Sequence, residues 1–179
     1  MVFSWPSVSV VIPHYNSHES LEHVVRAIRA QDYAGEVEIV VADDGSERLP
    51  QIPGVRLVRQ EDVGFRAAAA RNLGAAAAGG EVLAFLDADT IPEPGYLSAV
   101  VPHVMGDERA VVVGTRLTGA AREEPQWLRD AWERTDHLRT ADHTSWRYII
   151  SAVLSCSTAF FESVGGFDGT FVGYGGADW

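Results

Sequence analysis

The chain has 179 residues, enough for one domain with a buried core. Its 46% hydrophobic and 22% charged content suits a soluble globular fold, and a net charge of −11 leaves no basic surplus to neutralise nucleic-acid phosphates. A single cysteine, Cys156, excludes an intramolecular disulfide and a zinc site built from a cysteine cluster.

In chain order, "VSVVIP" (residues 8–13) is a short run rich in β-branched residues and reads as a buried strand. In the next segment Leu21, Val24, Val25 and Ile28 fall at i, i+3, i+4 and i+7, one face of a helix, with Ser17 placed as N-cap and Glu19 in the first turn. "VEIVVA" (37–42) predicts a second strand that ends in "DDGS", and "VRLVR" (55–59) a shorter third. "VGFRAAAARNLGAAAAGG" (63–80) predicts a helix closed by Gly79 and Gly80, its small side chains allowing close approach to a sheet. "EVLAFL" (81–86) is the next strand, with "DADTIPEPG" as its exit loop. A helix in "YLSAVVPHV" (96–104) then leads to a strand in "AVVVGTRL" (110–117). This alternation predicts an α/β fold with a mainly parallel central sheet flanked by helices.

After Leu117 the chain becomes polar, with Trp127, Trp132 and Trp146 and a predicted helix over 126–139. "YIISAVLSCSTAFF" (148–161) fits a helix or a strand, and a glycine-rich segment closes the chain. We read one domain over 1–179, with a ligand-binding half at 1–117 and a second half at 118–179. The opening residues lack the basic leader and apolar core of a signal peptide, and no apolar run reaches the ~18 residues of a membrane span. The expectation is a cytoplasmic protein, with any membrane association carried by segments outside these residues.

Three strand ends carry unusual polar residues: "PHYN", "DDGS" and "DADT". In an open α/β sheet, ligands sit outside the carboxyl ends of the strands. Asp87 and Asp89 are two apart, so at the frayed end of a strand their carboxylates point the same way. That is costly unless a cation or an arginine sits between them, and a hard ion such as Mg²⁺ or Mn²⁺ that also takes substrate phosphates meets the need. A solvated turn is the plainer reading of an isolated D-x-D. Arg71 shares a helix face with Ala67, Gly74 and Ala75, the face suited to the sheet. Its charge there takes a strand-end aspartate or a diphosphate as partner, or else snorkels to water. "DDGS" is a turn, or a turn in which one carboxylate accepts hydrogen bonds from a nucleoside. Tyr15 either stacks on a base or packs at its strand end.

The ordered set "SVVIPHYN", "IVVADDGS", "GFRAAAARNLG" and "GEVLAFLDADTIPEP" resembles a family 2 glycosyltransferase of the GT-A fold. "VGGFDGTFVGYGGADW" is similar to the segment of galactosyltransferase-type and chondroitin-type enzymes that carries the catalytic base. The resemblance covers 7–95 and 155–179 and implies a metal-dependent, inverting transfer from a nucleotide-sugar, usually a UDP-sugar, to an acceptor hydroxyl in polysaccharide or glycoconjugate synthesis. It places Pro13 and Tyr15 against the base and Asp44 on the base's ring NH. Asp43, Arg66 and Ala88 join the donor-contacting set, and Arg71 lies near the diphosphate or the metal-site acids. Asp87 faces ribose and metal, and Asp89 binds the Mn²⁺ or Mg²⁺ directly. Asp178 becomes the general base, with Gly175 and Gly176 letting the backbone approach the sugar. Two positions depart from the pattern: Ala177 stands where an acid is common and Ser155 where an Asn is common. A further metal ligand is expected past Trp179. His137 and His143 are substitutes in the polar stretch, where surface positions suit them equally. The tryptophans of 118–147 fit an acceptor wall or anchors for a helix.

Other classes fit less well. A sugar nucleotidyltransferase needs a glycine-rich, basic phosphate loop after its first strand, where this chain has "IPHYNSHE". A dehydrogenase needs G-x-G-x-x-G there. A non-catalytic nucleotide-sugar-binding module stays open, and turnover distinguishes it from an enzyme.

Overall fold

A computed structural model of the chain describes residues 4–114 and 149–170. Six strands form one sheet: β1 Val8–His14, β2 Val37–Asp43, β3 Arg56–Arg59, β4 Val82–Leu86, β5 Val111–Val113 and β6 Val153–Ser157. Four helices are described: α1 His18–Arg29, α2 Ala67–Ala77, α3 Tyr96–Gly106 and α4 Thr158–Ser163. The strand order is β3-β2-β1-β4-β6-β5. The pairs β3–β2, β2–β1 and β1–β4 are parallel, while β4–β6 and β6–β5 are antiparallel. The expected mainly parallel α/β sheet therefore holds: β1 to β5 run in one direction and only β6, inserted between β4 and β5, runs against them.

Alternation along the strands splits the core into two layers, because successive side chains leave a strand on opposite faces. On one face Val8, Val10, Ile12, Ile39 and Val41 pack against Leu21, Val24, Val25 and Ile28 of α1 and Leu97, Val100, Val101 and Val104 of α3. The four α1 residues are those that the helical spacing selects, and all four are buried. On the other face Val11, Val40, Leu83 and Phe85 meet Ala75 of α2 and Phe160 and Phe161 around α4. Here the helix lies close to the sheet. A Cβ at Gly74 would sit 2.4 Å from Val11 Cγ1, so only glycine permits this approach.

Several boundaries differ from the expectation. Residues 63–66 stay outside α2, which starts at Ala67. Ser17 occupies the N-cap of α1 without a side-chain capping bond. The ambiguous stretch 148–161 divides into β6 and then α4, and Ser157 caps α4 by accepting a hydrogen bond from Phe160 N at 3.1 Å. β5 is three residues long, with 115–117 outside the described residues. The predicted helix over 126–139, the tryptophans of 118–147, His137 and His143 also lie outside the described residues. Among the described residues no helix is long and apolar enough to cross a membrane. Cys156 is a free, buried thiol whose pKa burial raises to about 11.

Candidate active site

The chain runs β1, β2, β3 outward on one side of β1, then returns to place β4 on its other side. The carboxyl edge between β1 and β4 is the switch point where ligands enter such sheets. The carboxyl ends of β1, β2 and β4 all open on this edge, and each carries one of the polar motifs.

On β4 the strand stops at Leu86, and Thr90 N donates to Asp87 O at 2.9 Å, closing a turn over 87–90. The strand alternation expected to aim Asp87 and Asp89 together therefore ends before either carboxylate, and the turn sets their directions. Asp87 is held from two sides. Its backbone N–H donates to Ala152 O at 3.1 Å, just before the antiparallel neighbour β6, and its Oδ1 accepts from Arg71 Nη2 at 2.6 Å. Arg71 is 5% exposed, so it does not snorkel to water. Its guanidinium lies 5.7 Å from the centre of the Phe167 ring, and its Nε has no hydrogen-bond partner among the described residues. A charge buried beside Ala and Gly with a short bond to one carboxylate is a preorganised arm. It offsets the Asp87 charge and keeps a donor in reserve. Asp89 is exposed, and its side chain takes only a long 3.5 Å bond from Thr90 Oγ1. Ala88 between them is half-buried against the core.

On β2 the two aspartates divide their work. Asp43 is fully buried and saturated: Oδ1 accepts from His14 Nδ1 at 2.9 Å, and Oδ2 accepts from Gly45 N at 3.2 Å and Ser46 N at 3.0 Å, with Arg59 Nε at 3.5 Å. Burial pushes its pKa up, but the bonds from Ser46 and His14 outweigh that and leave it below the ordinary carboxylate value. Burial lowers the His14 pKa more than Asp43 raises it. His14 is thus a neutral imidazole donating Nδ1–H to an ionised Asp43, which leaves Nε2 as a bare acceptor without a partner among the described residues. With its bonds spent on its own turn and on side chains of the flanking strands, Asp43 shapes the loop. Asp44 faces the edge differently. Its Oδ1 accepts from Gln60 Nε2 at 2.6 Å and its Oδ2 from Arg66 N at 2.9 Å, with Arg66 Nε 3.9 Å from Oδ1. Arg66 stands at the N-cap of α2 and also donates to Glu61 O. Asp44 and Arg66, two members of the expected donor-contacting set, thus meet directly.

On β1 Pro13 is half-buried, while Tyr15 is 48% exposed and donates to Asp62 Oδ2 at 3.2 Å. Its ring is therefore open at the edge instead of packed inside. That bond to Asp62 also raises the Tyr15 pKa. Asp168 orders its own turn, accepting from Thr170 N at 2.9 Å and Thr170 Oγ1 at 2.7 Å, and Phe167 packs on Phe85 and Phe161. Ser155, at one of the two departures, is buried and bonded to Tyr96 Oη at 3.0 Å. Asp178, Gly175 and Gly176 lie outside the described residues.

Sequence reasoning passed over His14, Gln60 and Asn72. His14 had a signal: it continues the even-numbered face of Val10 and Ile12, so alternation turns it inward beside Asp43. Gln60 and Asn72 carry no comparable local signal. A cavity of about 680 Å³ lined by Glu81, Glu108, Arg109, Ser157 and Thr158 lies by the amino end of β4, across the sheet from Asp44 and Asp87. Volume alone therefore does not mark the site.

Among the described residues, no group of three or more His, Cys, Asp or Glu is arranged to hold a metal ion. Asp89, with the free side of Asp87, fits an ion that keeps waters and shares its coordination with substrate phosphates, in contrast to one caged by protein.

Known proteins share this architecture. Over 97% of its length the chain is 32% identical to validoxylamine A glucosyltransferase of Streptomyces hygroscopicus subsp. limoneus, covering 46% of that protein. The S. aureus TarS 1-349 structure in complex with UDP superposes with a TM-score of 0.73 at 18% identity, over 96% of this chain and 52% of that one. A Pyrobaculum calidifontis mannosyltransferase solved with GDP-Man and Mn²⁺ gives a TM-score of 0.68 at 21% identity, over 93% of this chain and 48% of that one. These structures share the GT-A fold with the chain, and the chain spans about half the length of its first curated relatives. The model of "Glycosyl transferase family 2" matches residues 9–164, and the chain belongs to that family.

Proposed function

We propose that the chain is the nucleotide-sugar-binding and catalytic portion of a metal-dependent, inverting glycosyltransferase that uses a UDP-sugar to build a polysaccharide or glycoconjugate. The observation that carries this reading is the pairing of the buried Arg71 with the half-buried Asp87 at the switch-point edge, next to an exposed Asp89 and across β1 from the anchored Asp44. The validoxylamine relative is named a glucosyltransferase, TarS was solved with UDP and the mannosyltransferase with GDP-Man and Mn²⁺, which supports a nucleotide-sugar donor and a divalent ion.

Asp44 is held by Gln60 and Arg66 so that a carboxylate lone pair can accept the ring NH of a base, while the open face of Tyr15 offers a stacking surface. Asp89 and Asp87 would hold Mn²⁺ or Mg²⁺, which when bound supplies a Lewis acid for the diphosphate oxygens. Asp178 accepts the proton of the acceptor hydroxyl. The oxygen forms its bond to the anomeric carbon as the bond from that carbon to the diphosphate breaks, and the electron pair leaves with the nucleoside diphosphate. Attack opposite the leaving group inverts the centre.

Calorimetry of UDP with and without Mn²⁺, beside transfer assays over UDP- and GDP-sugars in the full-length protein, tests the reading. Metal-dependent UDP binding with turnover is expected. Binding without turnover leaves a binding module, and no nucleotide affinity overturns the proposal. Asp178→Asn is expected to lower transfer by about 10²–10⁴ with nucleotide affinity kept. A normal rate removes Asp178 as the base.

A further inference from the structure

Residue 72 follows Arg71 on α2, yet its bonds go elsewhere. Asn72 Nδ2 donates to Phe167 O at 2.7 Å, and Asn72 Oδ1 accepts from Phe167 N at 2.9 Å, across 95 residues of chain. A primary amide that takes both the N–H and the C=O of one residue fixes its orientation as well as its position, as a neighbouring strand would. The turn is shaped to admit this bracket. Gly166 has φ +76°, and a Cβ there would lie 2.7 Å from Asn72 Oδ1 and 3.2 Å from the Phe161 ring. Gly166 N also donates to Phe161 O at 3.1 Å, tying the turn to the end of α4. The Phe167 ring is gripped in turn by Phe85 at 5.1 Å and Phe161 at 5.5 Å, under the Arg71 guanidinium. Asp168 then sets the path of the chain as far as Thr170.

We infer that Asn72 is a positioning residue: its amide registers the turn over 165–168 against α2. Because Arg71 on the same helical turn holds Asp87, one rigid element sets both the donor-side carboxylate and the start of the chain that leads to Asp178. This rests on the proposed transferase reading and adds the device that aligns its two sides. The ordinary role for such an amide is to stabilise a loop, which would leave catalysis unaffected once the protein is folded. Alignment predicts more, since small displacements of reacting groups lower rates steeply.

The experiment uses full-length protein with Asn72→Ala, which removes both bonds, and Asn72→Asp, which keeps the acceptor for Phe167 N–H and loses the donor to its C=O. UDP–Mn²⁺ affinity, transfer kcat, acceptor KM and hydrogen exchange at the Phe167 amide are measured. For Asn72→Ala the expected result is exchange at least about tenfold faster, nucleotide affinity within about twofold and kcat lower by about 10- to 100-fold, with Asn72→Asp between it and the unsubstituted protein. Faster exchange with unchanged kcat and KM overturns the inference. So does a loss of nucleotide affinity as large as the loss of kcat, which marks a general structural role. If Asn72→Ala does not fold, the same criteria apply to Asn72→Asp. An unsubstituted protein without nucleotide affinity refutes the transferase reading instead, and Phe167 exchange still reports whether the bracket exists.

Discussion

Neutral His14 inside the fold is an energetic commitment that pH can expose. Its pKa is lowered by burial despite Asp43, and His18 of α1, whose ring meets it edge-on at 5.0 Å, adds further opposition to a second charge. The unfolded chain takes up a proton near the ordinary value of 6.5, whereas the folded chain resists until a lower pH. Between those values the unfolded state binds more protons, so stability is highest above about pH 6.5 and falls as pH drops toward the folded value. Asp43, also lowered, adds a second loss of stability below its ordinary 3.8. His14→Asn keeps an N–H for Asp43 without the titration, so its melting temperature is expected to fall less than that of the parent protein between pH 7 and pH 5. Equal slopes for the two proteins, followed by circular dichroism, would remove His14 as the source.

At the scale of elements, α2 carries most of the information about the site. Its buried residues are Ala68, Ala70, Arg71, Gly74 and Ala75, four small residues around one charge. Gly74→Ala gains about 1 kcal/mol of helix propensity. The added methyl would stand 2.4 Å from Val11 Cγ1 and 3.2 Å from Ala42 Cβ, and such overpacking costs about 1–3 kcal/mol. The second effect wins, so the urea midpoint of Gly74→Ala is expected to fall with its slope unchanged. Exposed Ala76 supplies the control, because Ala76→Gly loses only the propensity of about 1 kcal/mol. A stabilised Gly74→Ala would mean that α2 can move away from β1 without cost. The existence of this helix was legible in its alanines. Its first turn was not, since residues 63–66 are taken by backbone bonds to Asp62 and Asp44 that no periodicity announces.

For the whole molecule, the sheet divides two apolar layers that share β1, β2, β3, β4 and β6. Phe85 is fully buried on the α2 and α4 side and touches both Phe161 and Phe167, while Leu97 is buried on the α1 and α3 side. Phe85→Ala is expected to cost about 3–5 kcal/mol and Leu97→Ala about 2–5 kcal/mol. Because the strands couple the layers, both losses should appear in one cooperative transition, with coincident far-ultraviolet dichroism and tryptophan fluorescence. Separate transitions would show that the two layers unfold independently.

The sequence by itself determined what repeats over a few residues. Strand alternation, the apolar face of α1, the small-residue face of α2 and the polar residues at three strand ends all follow from local spacing, and family motifs in order supplied the fold and the family. Only the tertiary structure decided the partners: Asp87 for Arg71, His14 for Asp43, Gln60 for Asp44 and the Phe167 backbone for Asn72. It also turned the ambiguous 148–161 stretch into an antiparallel strand beside β4. The physical reason is range. Periodicity records which side of an element is dry, whereas a buried charge or amide takes whichever group the closed chain brings within about 3 Å, and that group can lie 95 residues away.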